Sequence, residues 1–239
     1  PITGSLHGTI KHINNLDKGG TSKGDNRNYT FTREIQLKPG ESRRFSEQLE
    51  IKNPQLWWPM EVGPQNLYAL VLEVKTQTGI VSERDTVRFG IREVSAQLEN
   101  HGGNRIMEYR INGKRILIRG GDWTETMMME TTPEREEVAI RYARNMHLNT
   151  LRLESFWGSD HFFELADKYG IMIFNGLNCC CIWERWEQWT EHTADVAVAS
   201  LRDQIVRLRN HPSIIKWVLG SDRYPPREIE QRYIHTVTT

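Results

Sequence analysis

From about Asn104 onward, short apolar runs and helical periods follow one another in strict turn, and few folds accept that order. Ile116 to Gly120 reads as a strand. Pro133 to Met146 reads as a helix, with Pro in its first turn and Val138, Tyr142 and Ala143 apolar at helical spacing. Asn149 to Leu153 is the next strand, and Asp160 to Tyr169 a helix stopped by Gly170. Ile171 to Asn175 follows as a strand. The helix Ala194 to Asn210 carries Val198, Leu201, Ile205 and Leu208 on one face and stops at His211-Pro212. Ile214 to Leu219 is almost wholly apolar, as a strand buried on both faces in a parallel sheet should be, and Arg227 to His235 starts another helix. Four such βα units predict the first half of a TIM (β/α)8 barrel over residues 95–239.

Before about Val94 the signals are those of short strands: Leu6 to Ile13, Tyr29 to Leu37, Arg43 to Ile51, Leu67 to Thr76 and Val81 to Gly90. Gly19-Gly20, Lys38-Pro39-Gly40 and Thr78-Gly79 break them. Both faces of Leu67 to Lys75 are fairly apolar, as in the middle of a β-sandwich. Residues 1–94 are therefore expected to form a sandwich, joined to the barrel by a connector around Gln97 to Asn104. Pro1-Ile2-Thr3-Gly4 opens in strand-like alternation, and His235 to Thr239 stops without a cap, so both domains are expected to be truncated.

The 31 basic and 31 acidic residues cancel, which argues against nucleic acid and anionic membrane as partners. No run approaches the roughly twenty apolar residues that span a bilayer, so the chain reads as soluble. A secreted or periplasmic location is the expectation, and the oligomeric state is not fixed. Cys179-Cys180-Cys181 is no disulfide framework and has no zinc-ligand spacing; it reads as buried small residues. Asn28-Tyr29-Thr30 is a possible glycosylation acceptor. With neither a metal motif nor a nucleotide-binding glycine loop, no cofactor is expected.

In a TIM barrel the working residues stand at the C-terminal ends of the strands. The candidates are Asp122 and Trp123, Arg152 and Glu154, Asn178, Glu184, and Ser221 with Asp222. Asp222 is the sharpest, because it emerges from the fourth strand and precedes Arg223-Tyr224-Pro225-Pro226. Its alternative roles are to cap the helix after Pro226 or to pair with Arg223. An arginine at a strand end often bridges carboxylates, so Arg152 is expected to support the site with Glu154 as partner. Trp123, Trp157, Trp183, Trp186 and Trp189 could stack on sugar rings, although core packing suits several of them.

At these residues the chain resembles glycoside hydrolase family 2, in its exo-β-glucosaminidase-like branch. The likeness rests on Asn53-Pro54-Gln55-Leu56-Trp57-Trp58-Pro59, Gly63 to Tyr68 and Phe89-Gly90-Ile91-Arg92-Glu93, similar to the end of the family's immunoglobulin-like domain. It continues through Asn112 to Arg115, Ile118 to Gly121, Leu148 to Glu154, Ala166 to Met172, and Arg207 to Ser213 running into Gly220-Ser221-Asp222. The resemblance implies a retaining β-glycosidase with Asp222 as general acid/base, acting on an oligosaccharide or glycoside. Its glutamate nucleophile would end the seventh strand, beyond residue 239, so the chain alone is expected to be inactive.

Two carboxyl groups about 5 Å apart are needed, one to attack the anomeric carbon and one to protonate the departing oxygen. Most of the family ends the fourth strand in Asn-Glu, whereas Ser221-Asp222 matches the glucosaminidase-like branch and leaves room for a 2-amino group. An ammonium wants carboxylates. Where the branch leads us to expect them, this chain has Thr126 and Asn178, with Glu125, Glu130 or Glu184 as possible replacements. A neutral β-mannoside or β-galactoside stays open as substrate, as does a non-catalytic carbohydrate-binding scaffold.

Overall fold

The structure is a computed structural model that describes residues 2–13, 28–124, 130–154, 158–177, 185–220 and 223–238. The chain forms two compact units, one from Pro1–Trp57 with Asn66–Ile91 and the other from Trp58–Gln65 with Arg92–Thr239.

The first unit holds an antiparallel sheet of β1 (Ile2–Ile13), β2 (Tyr29–Leu37), β3 (Leu67–Thr76) and β4 (Val81–Phe89) in the order β2-β1-β3-β4. Buried Ile10, Tyr68 and Ala69 lie on these strands. The Tyr68 hydroxyl accepts the Gln55 amide at 2.8 Å, and the Asn66 side-chain amide donates to the Leu56 carbonyl at 3.0 Å. These bonds tie the irregular segment before Trp57 to β3. Arg43 to Ile51, expected as a strand, is not one. A strand is a pairing as well as a local pattern, and this largely exposed stretch makes no ladder among the described residues.

The second unit opens with β5 (Val94–His101), β6 (Asn104–Ile111) and β7 (Lys114–Ile116), a three-stranded antiparallel sheet. The expected connector thus lies within a hairpin, because Gly102 and Gly103 adopt positive φ and turn the chain back on itself. Then come β8 (Gly120–Trp123), β9 (Thr150–Leu153), β10 (Met172–Gly176) and β11 (Ile214–Val218), parallel and in sequence order. Helices α1 (Pro133–Asn145), α2 (Asp160–Tyr169) and α3 (Glu191–Leu208) alternate with them, and α4 (Arg227–Thr238) follows.

The first barrel strand starts later than its apolar run suggests. Buried Asn149 explains the shift: its Oδ1 accepts the Arg119 amide at 2.9 Å and its Nδ2 donates to the Leu117 carbonyl at 2.9 Å. Residues 117–119 are therefore held by a side chain, and the ladder begins at Gly120 opposite Thr150. The approach there is close, since a Cβ on Gly120 would stand 2.2 Å from the Thr150 carbonyl oxygen.

Helix α1 also corrects an expectation. Its buried row is Glu136, Ile140 and Ala143, while Val138 and Tyr142 are 51% and 64% exposed. A charged residue can face inward because the Ser159 hydroxyl donates to Glu136 Oε1 at 2.6 Å. The same Ser159 oxygen accepts the Phe162 amide and caps α2, which ends at Gly170 with φ 74°. Thr190 and Thr193 form a reciprocal cap at the start of α3. Leu151, Leu153 and Ile173 pack on Ile140, Phe162 and Phe163 in the layer between sheet and helices.

Candidate active site

Side chains alternate along a strand, so the outward turn of Leu151 and Leu153 sends Arg152 to the barrel interior. Asp122 stands opposite Arg152 in the ladder, and Phe174 flanks Arg152 on the other side. Arg152 Nη1 lies 3.1 Å from Asp122 Oδ1 and 3.3 Å from Glu154 Oε1. One guanidinium therefore joins carboxylates from the C-terminal ends of two adjacent strands. Partial burial works to lower the proton affinity of Arg152. The bond to Asp122, with the charges of Asp122 and Glu154, outweighs it and holds the pKa above the ordinary arginine value. Arg152 stays charged and keeps both carboxylates in place.

Trp123, expected among the sugar contacts, is partly buried, with its ring 5.9 Å from that of Phe162 and packed against the core cluster between sheet and helices. Neighbours in a strand face opposite sides, so Asp122 and Trp123 were never free to share one. That parity was available in the sequence. Trp186 and Trp189 have ring centroids 4.6 Å apart, at a short 3-10 turn (Trp186–Gln188) beyond β10. Glu187 of that turn reaches Arg223 at 3.5 Å, linking the segments that follow β10 and β11.

Lys216 is a residue the motifs did not flag. It stands beside Phe174 in the ladder, with its ammonium 5.2 Å from that ring and 5.8 Å from the Tyr109 ring. Its inward position could have been read from the spacing of two between Lys216 and Val218 in an otherwise apolar strand.

Asn178, Glu184, Ser221 and Asp222 lie outside the described residues, as do Glu125, Thr126, Trp157, Trp183 and the three cysteines. Glu130 is described and exposed. Among the described residues no group of three or more His, Cys, Asp or Glu side chains is arranged to hold a metal, and no helix is long and apolar enough to cross a membrane.

Residues 3–92 match the family model for glycosyl hydrolases family 2, and residues 105–238 match that for the TIM barrel domain of glycosyl hydrolases family 2. An exo-beta-D-glucosaminidase of Streptomyces avermitilis is 38% identical over 195 residues, 78% of this chain and 21% of the relative. One from Amycolatopsis orientalis is 37% identical over 191 residues, 77% of this chain and 18% of the relative. A mannosylglycoprotein endo-beta-mannosidase of Lilium longiflorum is 26% identical, covering 84% of this chain and 22% of the relative. The crystal structure of an Amycolatopsis orientalis exo-chitosanase superposes with TM-score 0.76 at 32% identity, covering 98% of this chain and 27% of that one. The chain thus spans about a fifth of the two glucosaminidases' length and about a quarter of the solved enzyme. It belongs to glycoside hydrolase family 2, with an immunoglobulin-like sandwich domain followed by the first half of the TIM barrel.

Proposed function

We propose that this chain is the acid/base-bearing part of a retaining, exo-acting β-D-glucosaminidase. The supporting observation is the match of 38% and 37% to two exo-beta-D-glucosaminidases over three quarters of the chain, together with Ser221-Asp222 after the fourth barrel strand. Asp222 protonates the glycosidic oxygen as it departs. A glutamate supplied from beyond residue 239 attacks the anomeric carbon, and Asp222 then takes a proton from the incoming water. The pair tunes itself: the charged nucleophile favours the proton on Asp222, and esterification by the sugar releases it. Asp122, Arg152 and Glu154, with Asn178, Glu184 and Ser221, hold the sugar. With one carboxylate of the pair present, the 239-residue chain does not turn over substrate.

The test is a rate panel of aryl β-glycosides with an enzyme of full family length that contains this chain. Glucosaminide should be preferred. Asp222→Ala should lower kcat/KM, which reports the first step, by about 10²–10⁴-fold on a sugar leaving group, and far less on a dinitrophenyl leaving group that needs no proton. Equal losses on both would remove Asp222 from that role, and turnover by the 239-residue chain itself would refute the missing-nucleophile reading.

A neutral sugar is the second reading, favoured by Thr126 and Asn178 where an ammonium would want acids and by the endo-beta-mannosidase relative. Preference for β-mannoside in the same panel would establish it.

A further inference from the structure

A barrel interior is a packed core, and an ammonium taken out of water there needs a counter-charge. Lys216 points into that interior. The ladder places Asp122, Arg152, Phe174 and Lys216 side by side across β8, β9, β10 and β11, one inward residue from each strand. Asp122 lies 3.1 Å from Arg152, and Glu154 joins them from 3.3 Å. Lys216 has no such acid. Its ammonium lies 5.2 Å from the Phe174 ring and 5.8 Å from the Tyr109 ring, and no carboxylate among the described residues pairs with it.

The neighbours sharpen the deficit. Tyr109 is buried, and its ring packs 5.3 Å from that of Phe174, which closes one side of the lysine to water. Glu108 precedes Tyr109 on β6 and so faces the other way, where it holds Arg110 and Arg115. Arg92, bonded to the Ile214 carbonyl two residues before Lys216, adds a cation rather than an acid. Ring faces attract an ammonium but do not replace a carboxylate once water is excluded. β11 is an edge of the four-stranded parallel sheet, so the side of Lys216 away from Phe174 is the side on which the family's barrel continues.

We infer that the second half of the barrel presents a carboxylate to Lys216, forming an interior ion pair that joins the two halves. The pair lies on the strand that leads into Asp222 and holds that strand in register against the half that completes the barrel. It touches no substrate. The inference rests on the barrel fold and is independent of which sugar the enzyme cleaves.

The test is the melting temperature of an enzyme of full family length that contains this chain, at about pH 5 and about pH 8, with and without Lys216→Met, which keeps an unbranched chain over both rings. Removing the ammonium leaves a buried carboxylate without its partner. The folded pKa of that carboxylate then rises above its unfolded value, so the variant loses stability as pH rises through the window between them. Lys216→Met should melt about 5 °C below the unmodified enzyme at the higher pH and within about 2 °C of it at the lower. Lys216→Arg keeps the charge, and its difference from the unmodified enzyme should be the same at both pH values. A melting temperature unchanged or raised by Lys216→Met at the higher pH would mean that the lysine has no acid partner, and would overturn the inference. So would a loss of equal size at both pH values, which reports packing alone, or a pH-dependent loss that Lys216→Arg reproduces.

Discussion

The two ends of the barrel strands solve the problem of charge in opposite ways. At the N-terminal end, Asp167 is 5% exposed and saturated: Oδ2 lies 2.7 Å from His211 Nδ1 and Oδ1 accepts the Ser213 amide at 3.0 Å. Arg92 is turned to backbone, donating to the Pro212 and Ile214 carbonyls at 2.8 and 2.6 Å. At the C-terminal end, Asp122 is 53% exposed and shares the Arg152 guanidinium with Glu154. A charge cluster closed to water fixes where a strand begins. One left open at the other end can exchange protein contacts for substrate contacts, which is why function belongs there.

Substitutions should separate the two ends. In the full-family-length enzyme, Arg152→Met should lower kcat/KM about a hundredfold through misplaced carboxylates, with the melting temperature shifted by no more than about 2 °C. A large melting shift with intact kinetics would erase the distinction. Asp167→Ala should do the reverse, costing about 3 kcal/mol in chemical denaturation of the barrel while activity per folded molecule survives. The smallest effect is on pH. Burial raises the Asp167 pKa, against the lowering influence of His211 and Ser213. Between the unfolded value near 3.8 and this raised one the folded state binds more protons, so stability should fall as pH rises through that window. Asp167→Asn should flatten this slope in a pH series of unfolding curves, and an unchanged slope would assign it to another group.

Local signals carried most of the fold. Helix α2 was legible to the residue, with Gly170 as a chemical stop that acts within one turn, and the structure adds Ser159 as the cap at its start. The Arg43 to Ile51 segment was misread because strand pairing depends on distant chain. The late start of β8 was hidden because one side chain, Asn149, replaces the ladder that Leu117 to Arg119 would otherwise make. Face assignment in α1 failed for a related reason: hydrophobicity ranked Val138 above Glu136, and only a partner 23 residues away makes Glu136 an inward residue. In the site, Arg152 and Glu154 were legible as partners from their strand-end positions, whereas the pairing of Arg152 with Asp122 depends on the ladder register of two strands.

The Ser159 hydroxyl has a single proton, and the structure directs it to Glu136 while the oxygen receives the Phe162 amide. The two positions are therefore bound to change together over evolutionary time. Ser159→Ala strands a buried acid, Glu136→Leu leaves a hydroxyl without its acceptor, and the paired change removes both faults at once. A double-mutant cycle should give a coupling of about 1–3 kcal/mol. Across the family, positions 136 and 159 should covary as an acid with a hydroxyl or as two apolar residues, and independent variation would contradict the coupling.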